Sequence, residues 1–163
     1  MILEALNKDL FISEDSQNGI LKATFAEKYP LSILVADDDF INQKLIGRIL
    51  VKLGYQTDMV TDGKNVLESL KKKYFNVILM DVQMPEMNGF EATRLIRKTS
   101  IEQQPYIIAM TANALPQDRN DCLNVGMNDY TAKPMRPKEI IKILKNAAAY
   151  INRENYKMLL NRN

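Results

Sequence analysis

Histidine is absent from the 163 residues, which removes histidine-ligated metals, serine–histidine–aspartate triads and any phosphohistidine of the chain's own. Cysteine occurs once, at Cys122, so no internal disulfide can form. No apolar run approaches the roughly 18 residues of a membrane span. The opening MILEALNKDLF lacks the basic start and small-residue cleavage site of a secretory signal. A formal charge of +2 gives no reason to expect a nucleic-acid surface, and the cluster Lys71-Lys72-Lys73 reads as a solvated helix end. What remains for chemistry is carboxylate, hydroxyl, lysine and thiol. With 46% apolar and 26% charged residues the chain fits one globular domain with a real core, and the expected location is the cytoplasm.

Residues 1–29 carry no sustained hydrophobic period and are broken by SEDSQNG (Ser13 to Gly19). They read as a linker-like segment with a short helix on each side of the break. From Leu31 the pattern turns regular. SILVAD predicts a strand, and Phe40 to Leu53 a helix with Ile41, Leu45, Ile49 and Leu53 at four-residue spacing, stopped by Gly54. TDMVT is a half-buried strand, and Asp62 caps a helix over Gly63 to Lys72. NVILMD, PYIIAMT and DYTAK follow as strands, with a helix over FEATRLIRK between the first two. A helix opened by Pro116 and closed by Gly126 lies between the second and third. A last helix runs from Pro137 to about Asn152, with Ile140, Leu144, Ala147 and Ile151 on one stripe. The domain is thus expected over residues 30–152, with residues 153–163 as a tail.

Strands alternating with helices imply right-handed crossovers and a parallel sheet covered on both faces. The continuous apolar runs ILVA and VILM agree, because such strands are buried on both sides. The expected architecture is a doubly wound α/β fold of five parallel strands with five flanking helices. In the flavodoxin-like strand order 2-1-3-4-5, the first and third strands are neighbours about 5 Å apart.

The stretch ILVADDDF raises the chemical question. Carboxylates a few ångströms apart repel by roughly 1 kcal/mol in water and by several times that at a protein surface. One of the three can cap the following helix; the others call for a positive partner. NVILMD ends in a carboxylate too, so Asp37, Asp38 and Asp81 converge at the carboxyl edge of the sheet, where ligands of such folds bind. Carboxylates without histidine or cysteine suit a hard cation, and Mg²⁺ prefers one or two of them together with waters and a phosphate. The fourth strand ends in Thr111 and the fifth in Lys133-Pro134, which bring a hydroxyl and an ammonium to the same edge. Cation, lysine, hydroxyl and spare carboxylate together suit phosphoryl transfer.

The pieces ILVADDD, VILMDVQMPEMNGFEATRLIR, IIAMTANA and GMNDYTAKP, in this order, resemble the receiver domains of two-component response regulators. The resemblance covers Leu31 to Ile151. The variants NQK, TANA and CLNVGMNDYTAKP are most similar to receivers of hybrid sensor histidine kinases. It implies that Asp81 is the phosphoacceptor and that Asp38 and Asp81 bind Mg²⁺ (or Mn²⁺) directly, with the backbone carbonyl of Gln83. Asp37 would act through a metal-bound water. Thr111 would hydrogen-bond a phosphoryl oxygen, Lys133 would pair with the acceptor carboxylate or phosphoryl group, and Tyr130 would be the aromatic switch. Lys133-Pro134 would be a cis peptide. Asp39 stands where many relatives carry Asn, and is assigned to capping the first regular helix. The implied partner is a histidine kinase domain or a histidine phosphotransfer protein carrying phosphohistidine. The signal would leave through the fourth helix (Pro116 to Gly126), the fifth strand and the last helix, a surface that could also support a homodimer. Such a domain is not itself a kinase; its activity is self-directed phosphotransfer and autodephosphorylation.

The expected parent is a hybrid sensor kinase, itself membrane-anchored or not, of which this chain is the C-terminal part; a free-standing single-domain regulator is the alternative. A receiver-like binding module that is never phosphorylated is a further reading. A haloacid-dehalogenase-type phosphatase is a rival, since Asp37 and Asp39 form a D-x-D pair, but Ile41 stands where Thr or Val is expected and no cap insertion is evident. Met84 and Met87 are expected to pack, Cys122 to be structural, and Tyr130 has a core residue as its plain alternative.

Overall fold

The computed structural model of the chain describes residues 22–113 and 115–162. Of the two short helices expected around the Ser13 to Gly19 break, the one before it lies outside the described residues. In chain order the elements are α1 (Phe25–Lys28), β1 (Ile33–Ala36), α2 (Phe40–Lys52), β2 (Thr57–Val60), α3 (Gly63–Lys72), β3 (Val77–Asp81), α4 (Gly89–Lys98), β4 (Tyr106–Thr111), α5 (Pro116–Asn124), β5 (Asp129–Ala132) and α6 (Pro137–Asn161). The five strands form one parallel sheet in the order β2-β1-β3-β4-β5.

Because alternate strand residues face opposite sides, the sheet divides the core in two. Ile33, Val35, Val77 and Leu79 pack with Ile46, Ile49 and Leu50 of α2 and with Ile140 and Leu144 of α6. Leu34, Ala36, Ile78 and Met80 pack with Val66 of α3, Ala92 and Ile96 of α4, and Cys122 of α5. β1 and β3 are fully buried, whereas the edge strand β2 is not. Helix starts follow local chemistry: Asp39 accepts from the Ile41 and Asn42 amides, Asp62 from Asn65 and Asn88 from Glu91. α5 and α6 open on prolines, with Asp118 and Glu139 reaching back to the amides of Leu115 and Arg136.

One element differs from the sequence pattern. α6 continues nine residues past Asn152, to Asn161. Nothing in RENYKMLL stops it, since it contains neither glycine nor proline, and Gln103 of the α4–β4 loop donates to Asn155 from the side. The short α1 falls after the Ser13 to Gly19 break, where a short helix is expected. Four residues are too few to hold a helix alone, and α1 is held from outside. Phe25 packs against the rings of Tyr29 and Tyr55, the Ala26 amide donates to the Leu53 carbonyl at 2.9 Å, and the Tyr55 hydroxyl donates to the Tyr29 carbonyl at 2.6 Å. Gly54 sits under this contact at φ +96, where a Cβ would run into the Ala23 carbonyl. Gly54→Ala is therefore expected to lower the chemical-denaturation midpoint by an amount equivalent to about 2 kcal/mol or more, since strain of the left-handed conformation adds to displacement of the α1 segment. An unchanged midpoint would show that this corner tolerates a side chain.

Register places the chemistry. Ala36 lies opposite Met80, so the residues that follow, Asp37 and Asp81, leave adjacent strands side by side. Thr111 lies opposite Ala132, which puts Lys133 one residue beyond. All four emerge at one end of the sheet.

Candidate functional site

Asp37 is wholly buried and Asp81 is 3% exposed, while Asp38 faces solvent. Each offers a carboxylate oxygen, and these oxygens lie within 4.8 Å of one another. Lys133, whose peptide to Pro134 is cis, reaches both buried carboxylates: its Nζ is 2.7 Å from Asp81 Oδ2 and 3.2 Å from Asp37 Oδ2. Two buried carboxylates thus share one ammonium, with the exposed carboxylate of Asp38 beside them, a local excess of negative charge.

The protonation behaviour follows. Burial is the largest influence on Asp81 and pushes its carboxyl up to about 6. Hydrogen bonds from Lys133 and the Gln83 amide, and the charge of Lys133, pull the other way; the charge of Asp37 adds to the rise. For Lys133, burial disfavours the ammonium, but the hydrogen bond to Asp81 and the attraction of Asp37 and Asp81 outweigh it, so its pKa is raised.

The loop after β3 is shaped around Asp81. The Gln83 amide donates to Asp81 Oδ1 at 3.1 Å, the Gly89 amide to the Val82 carbonyl at 2.9 Å, and the Gly63 amide to the Met87 carbonyl at 2.9 Å. Glu86 takes φ 65, uncommon for a side-chain-bearing residue, and pairs with Lys64 across the loop at 3.4 Å. Gly89 passes so close to the Asp81 carbonyl that a Cβ would collide with it. Met84 and Met87 pack into the core on this side, as their residue type suggests.

Thr111 ends β4 half-buried, its hydroxyl engaged locally: it donates to the Asn113 carbonyl at 2.9 Å and accepts the Asn113 amide at 3.2 Å. The structure does not bring this hydroxyl into a hydrogen bond with Asp81. Tyr130 is half-buried on β5 against the α3–α5 side of the core, with the Arg119 guanidinium 5.9 Å from its ring centroid.

Sequence reasoning missed two residues. The side-chain amide of the buried Asn42 donates to Asp37 Oδ2, and Gln43 Nε2 donates to the carbonyls of Asp37 at 2.7 Å and Val60 at 3.1 Å. A signal existed: with the cap at Asp39, position 42 is the third of the helix, whose side chain leans back toward the N-terminus.

A donor set of three carboxylate oxygens, short of positive charge, fits a hard divalent cation. The model of the response regulator receiver domain matches residues 33–145. The chain is 42% identical over 124 residues to hybrid signal transduction histidine kinase H of Dictyostelium discoideum, an alignment covering 74% of this chain and 9% of that protein. It therefore spans only a small part of the length of this curated relative. Among solved structures, it resembles the receiver domain of the sensor histidine kinase PA1611 from Pseudomonas aeruginosa, with a magnesium ion coordinated in the active site cleft. That match has 40% identity and a TM-score of 0.67, covering 73% of this chain and 98% of the other. The receiver domain of Ssk1 from Saccharomyces cerevisiae, crystallised with the histidine phosphotransfer protein Ypd1, is also similar, with 26% identity and a TM-score of 0.68 over 73% of this chain and 89% of that one. Among the described residues no helix is long and apolar enough to cross a membrane.

Proposed function

The chain belongs to the response regulator receiver family of two-component phosphorelays, and on that footing we propose that Asp81 accepts a phosphoryl group from a phosphohistidine on a partner kinase domain or phosphotransfer protein. The observation that carries this reading is the convergence of Asp37, Asp38 and Asp81, the two buried ones sharing the ammonium of Lys133. Asp38, Asp81 and the Gln83 carbonyl would hold Mg²⁺ directly, with Asp37 acting through a water. Bound there, the cation would neutralise charge on the carboxylates and on the transferring phosphoryl group.

The chain's own groups do the rest. An Asp81 carboxylate oxygen forms the new bond to phosphorus as the nitrogen–phosphorus bond of the donor breaks, and the imidazole leaves with the electron pair. Lys133, already at Asp81, follows the charge onto a phosphoryl oxygen. The Thr111 hydroxyl releases Asn113 and donates to a second oxygen, which draws the loop after β4 toward Asp81. Tyr130 then turns inward beneath it, so a charge at the site becomes a shape change across α5, β5 and α6. The same surface could support a homodimer, and a cytoplasmic location fits a phosphohistidine partner. The parent protein, on this reading, is a hybrid sensor histidine kinase.

Incubation with Mg²⁺ and acetyl phosphate, followed by intact-mass measurement, tests the reading. One phosphoryl adduct per chain is expected, and a mass that never changes overturns it in favour of a binding module.

Protons compete with the cation. Burial pushes the Asp81 carboxyl of the folded chain up to about 6, from an ordinary value of 3.8. Because the folded pKa is the higher one, its contribution to metal-free stability is fully present below about pH 4 and is lost as pH rises through about 6. Mg²⁺ acts on the deprotonated form and offsets that loss. Its addition should raise the melting temperature clearly at about pH 7.5 and much less at about pH 5. Equal shifts at the two values would separate Asp81 from the cation site.

A further inference from the structure

We propose that Asn42 is a positioning residue for phosphotransfer: its side-chain amide keeps the buried Asp37 carboxylate satisfied, and so frees Lys133 to move to the phosphoryl group. The inference rests on Asp81 being the phosphoacceptor and extends that reading to a residue with no direct part in the chemistry.

Lys133 is claimed twice before any phosphoryl group arrives, by Asp81 at 2.7 Å and by Asp37 at 3.2 Å. A phosphoryl group on Asp81 adds three strong acceptor oxygens beside it. To reach them the ammonium must loosen its hold on Asp37, which is wholly buried in the metal-free chain. A buried carboxylate stripped of a donor is strongly disfavoured, so Lys133 would stay unless another donor covered Asp37 Oδ2. Asn42 is that donor. The other oxygen, Oδ1, is already covered by the Asp39 amide at 2.8 Å. Both ends of the carboxylate are thus tied to the first turn of α2, independently of Lys133.

The residue type follows from the charge. An arginine or lysine at this position would supply a donor but also fill the electrostatic need that draws a cation. An aspartate would supply no donor and add repulsion. A neutral amide satisfies Oδ2 and leaves the negative potential intact. The fold aims it, since the Asp39 cap makes Asn42 the third helical residue. In an ordinary capping box that side chain would take the cap residue's own amide. Here Asp37 already occupies that amide, and Asn42 turns to Asp37 instead. Gln43 complements it by tying the Asp37 and Val60 carbonyls, which holds the ends of β1 and β2 together.

The test measures two affinities separately in the full chain: Mg²⁺ alone by titration, and beryllium fluoride, a phosphoryl mimic, at saturating Mg²⁺ by fluorine NMR. Asn42→Leu removes the donor with little change of volume. It is expected to leave Mg²⁺ affinity within about threefold of wild type while weakening beryllium fluoride binding about tenfold, the size of one lost charged hydrogen bond. Should Asn42→Leu fail to fold, Asn42→Ala serves, because it removes the donor and adds neither bulk nor charge beside the buried Asp37. For Asn42→Ala the same split is expected, with Mg²⁺ affinity nearly unchanged while beryllium fluoride affinity falls. A purely structural role would not split the two affinities in this way. A folded variant that binds beryllium fluoride as tightly as wild type overturns the positioning role alone. A wild type that binds none overturns the phosphoacceptor reading, and this proposal with it.

Discussion

Asp81→Asn is expected to take no label at all from acetyl phosphate under conditions that label wild type completely. Asparagine has nearly the same shape and can keep the contact with Gln83, but its amide is not a nucleophile toward phosphorus, so the loss should be total rather than partial. The stability of the variant should move the opposite way. Burial makes the Asp81 charge costly and Asp37 raises the cost, so in the absence of Mg²⁺ the neutral side chain should leave the fold as stable as wild type or more so. The wild-type adduct should be an acyl phosphate, cleaved by hydroxylamine and by base. Intact mass and peptide mapping before and after hydroxylamine decide the matter. A label that persists in Asp81→Asn on Asp37 or Asp38, or one that resists hydroxylamine, would place the chemistry elsewhere.

Lys133→Met should show the largest loss of stability among single substitutions at this site. Methionine fills the volume of the lysine stem but leaves Asp37 and Asp81, both essentially buried, without their shared ammonium. Removing one partner from a buried ion pair costs about 3–5 kcal/mol. Side-chain exposure of Lys133, at 22%, points to the lower part of that range. Two features separate this from ordinary loss of packing. The deficit should shrink as pH falls toward about 5, because without the ammonium the Asp37–Asp81 pair gains a proton more readily in the folded state. Mg²⁺ should also restore more stability to Lys133→Met than to wild type, since it is then the sole cation for the cluster. Urea denaturation at two pH values, with and without Mg²⁺, provides all four quantities. A deficit under about 1 kcal/mol, or one indifferent to both pH and Mg²⁺, would mean that the carboxylates do not depend on Lys133.

The strands and most helices were legible locally because their causes are local. Buried parallel strands read as unbroken apolar runs, as in ILVA and VILM, and the caps at Asp39 and Asp62 need only the amides that follow them. The cluster of Asp37, Asp38 and Asp81 could be suspected because each carboxylate ends an apolar run, and a parallel sheet brings such ends to one edge. The extent of α6 was less legible, since a helix with no breaker ends where its contacts end. A short helix after the Ser13 to Gly19 break was expected but its bounds were not legible: the four residues of α1 are helical through Leu53, Gly54 and Tyr55, which lie well along the chain.

By itself, then, the sequence determined the alternation of elements, the carboxyl-edge position of the acidic residues, Thr111 and Lys133, and the absence of any histidine chemistry. Each of these follows from residue type and spacing along a few turns or one strand. Only the tertiary structure decided which oxygen meets which donor. Lys133 bridges Asp37 as well as Asp81, the Thr111 hydroxyl is held by Asn113, and Asn42 turns to Asp37 rather than to its own helix cap. Those choices depend on where β1, β3 and β5 come to rest beside one another, and a hydrogen bond, with a reach of about 3 Å, responds to that placement and not to distance along the chain.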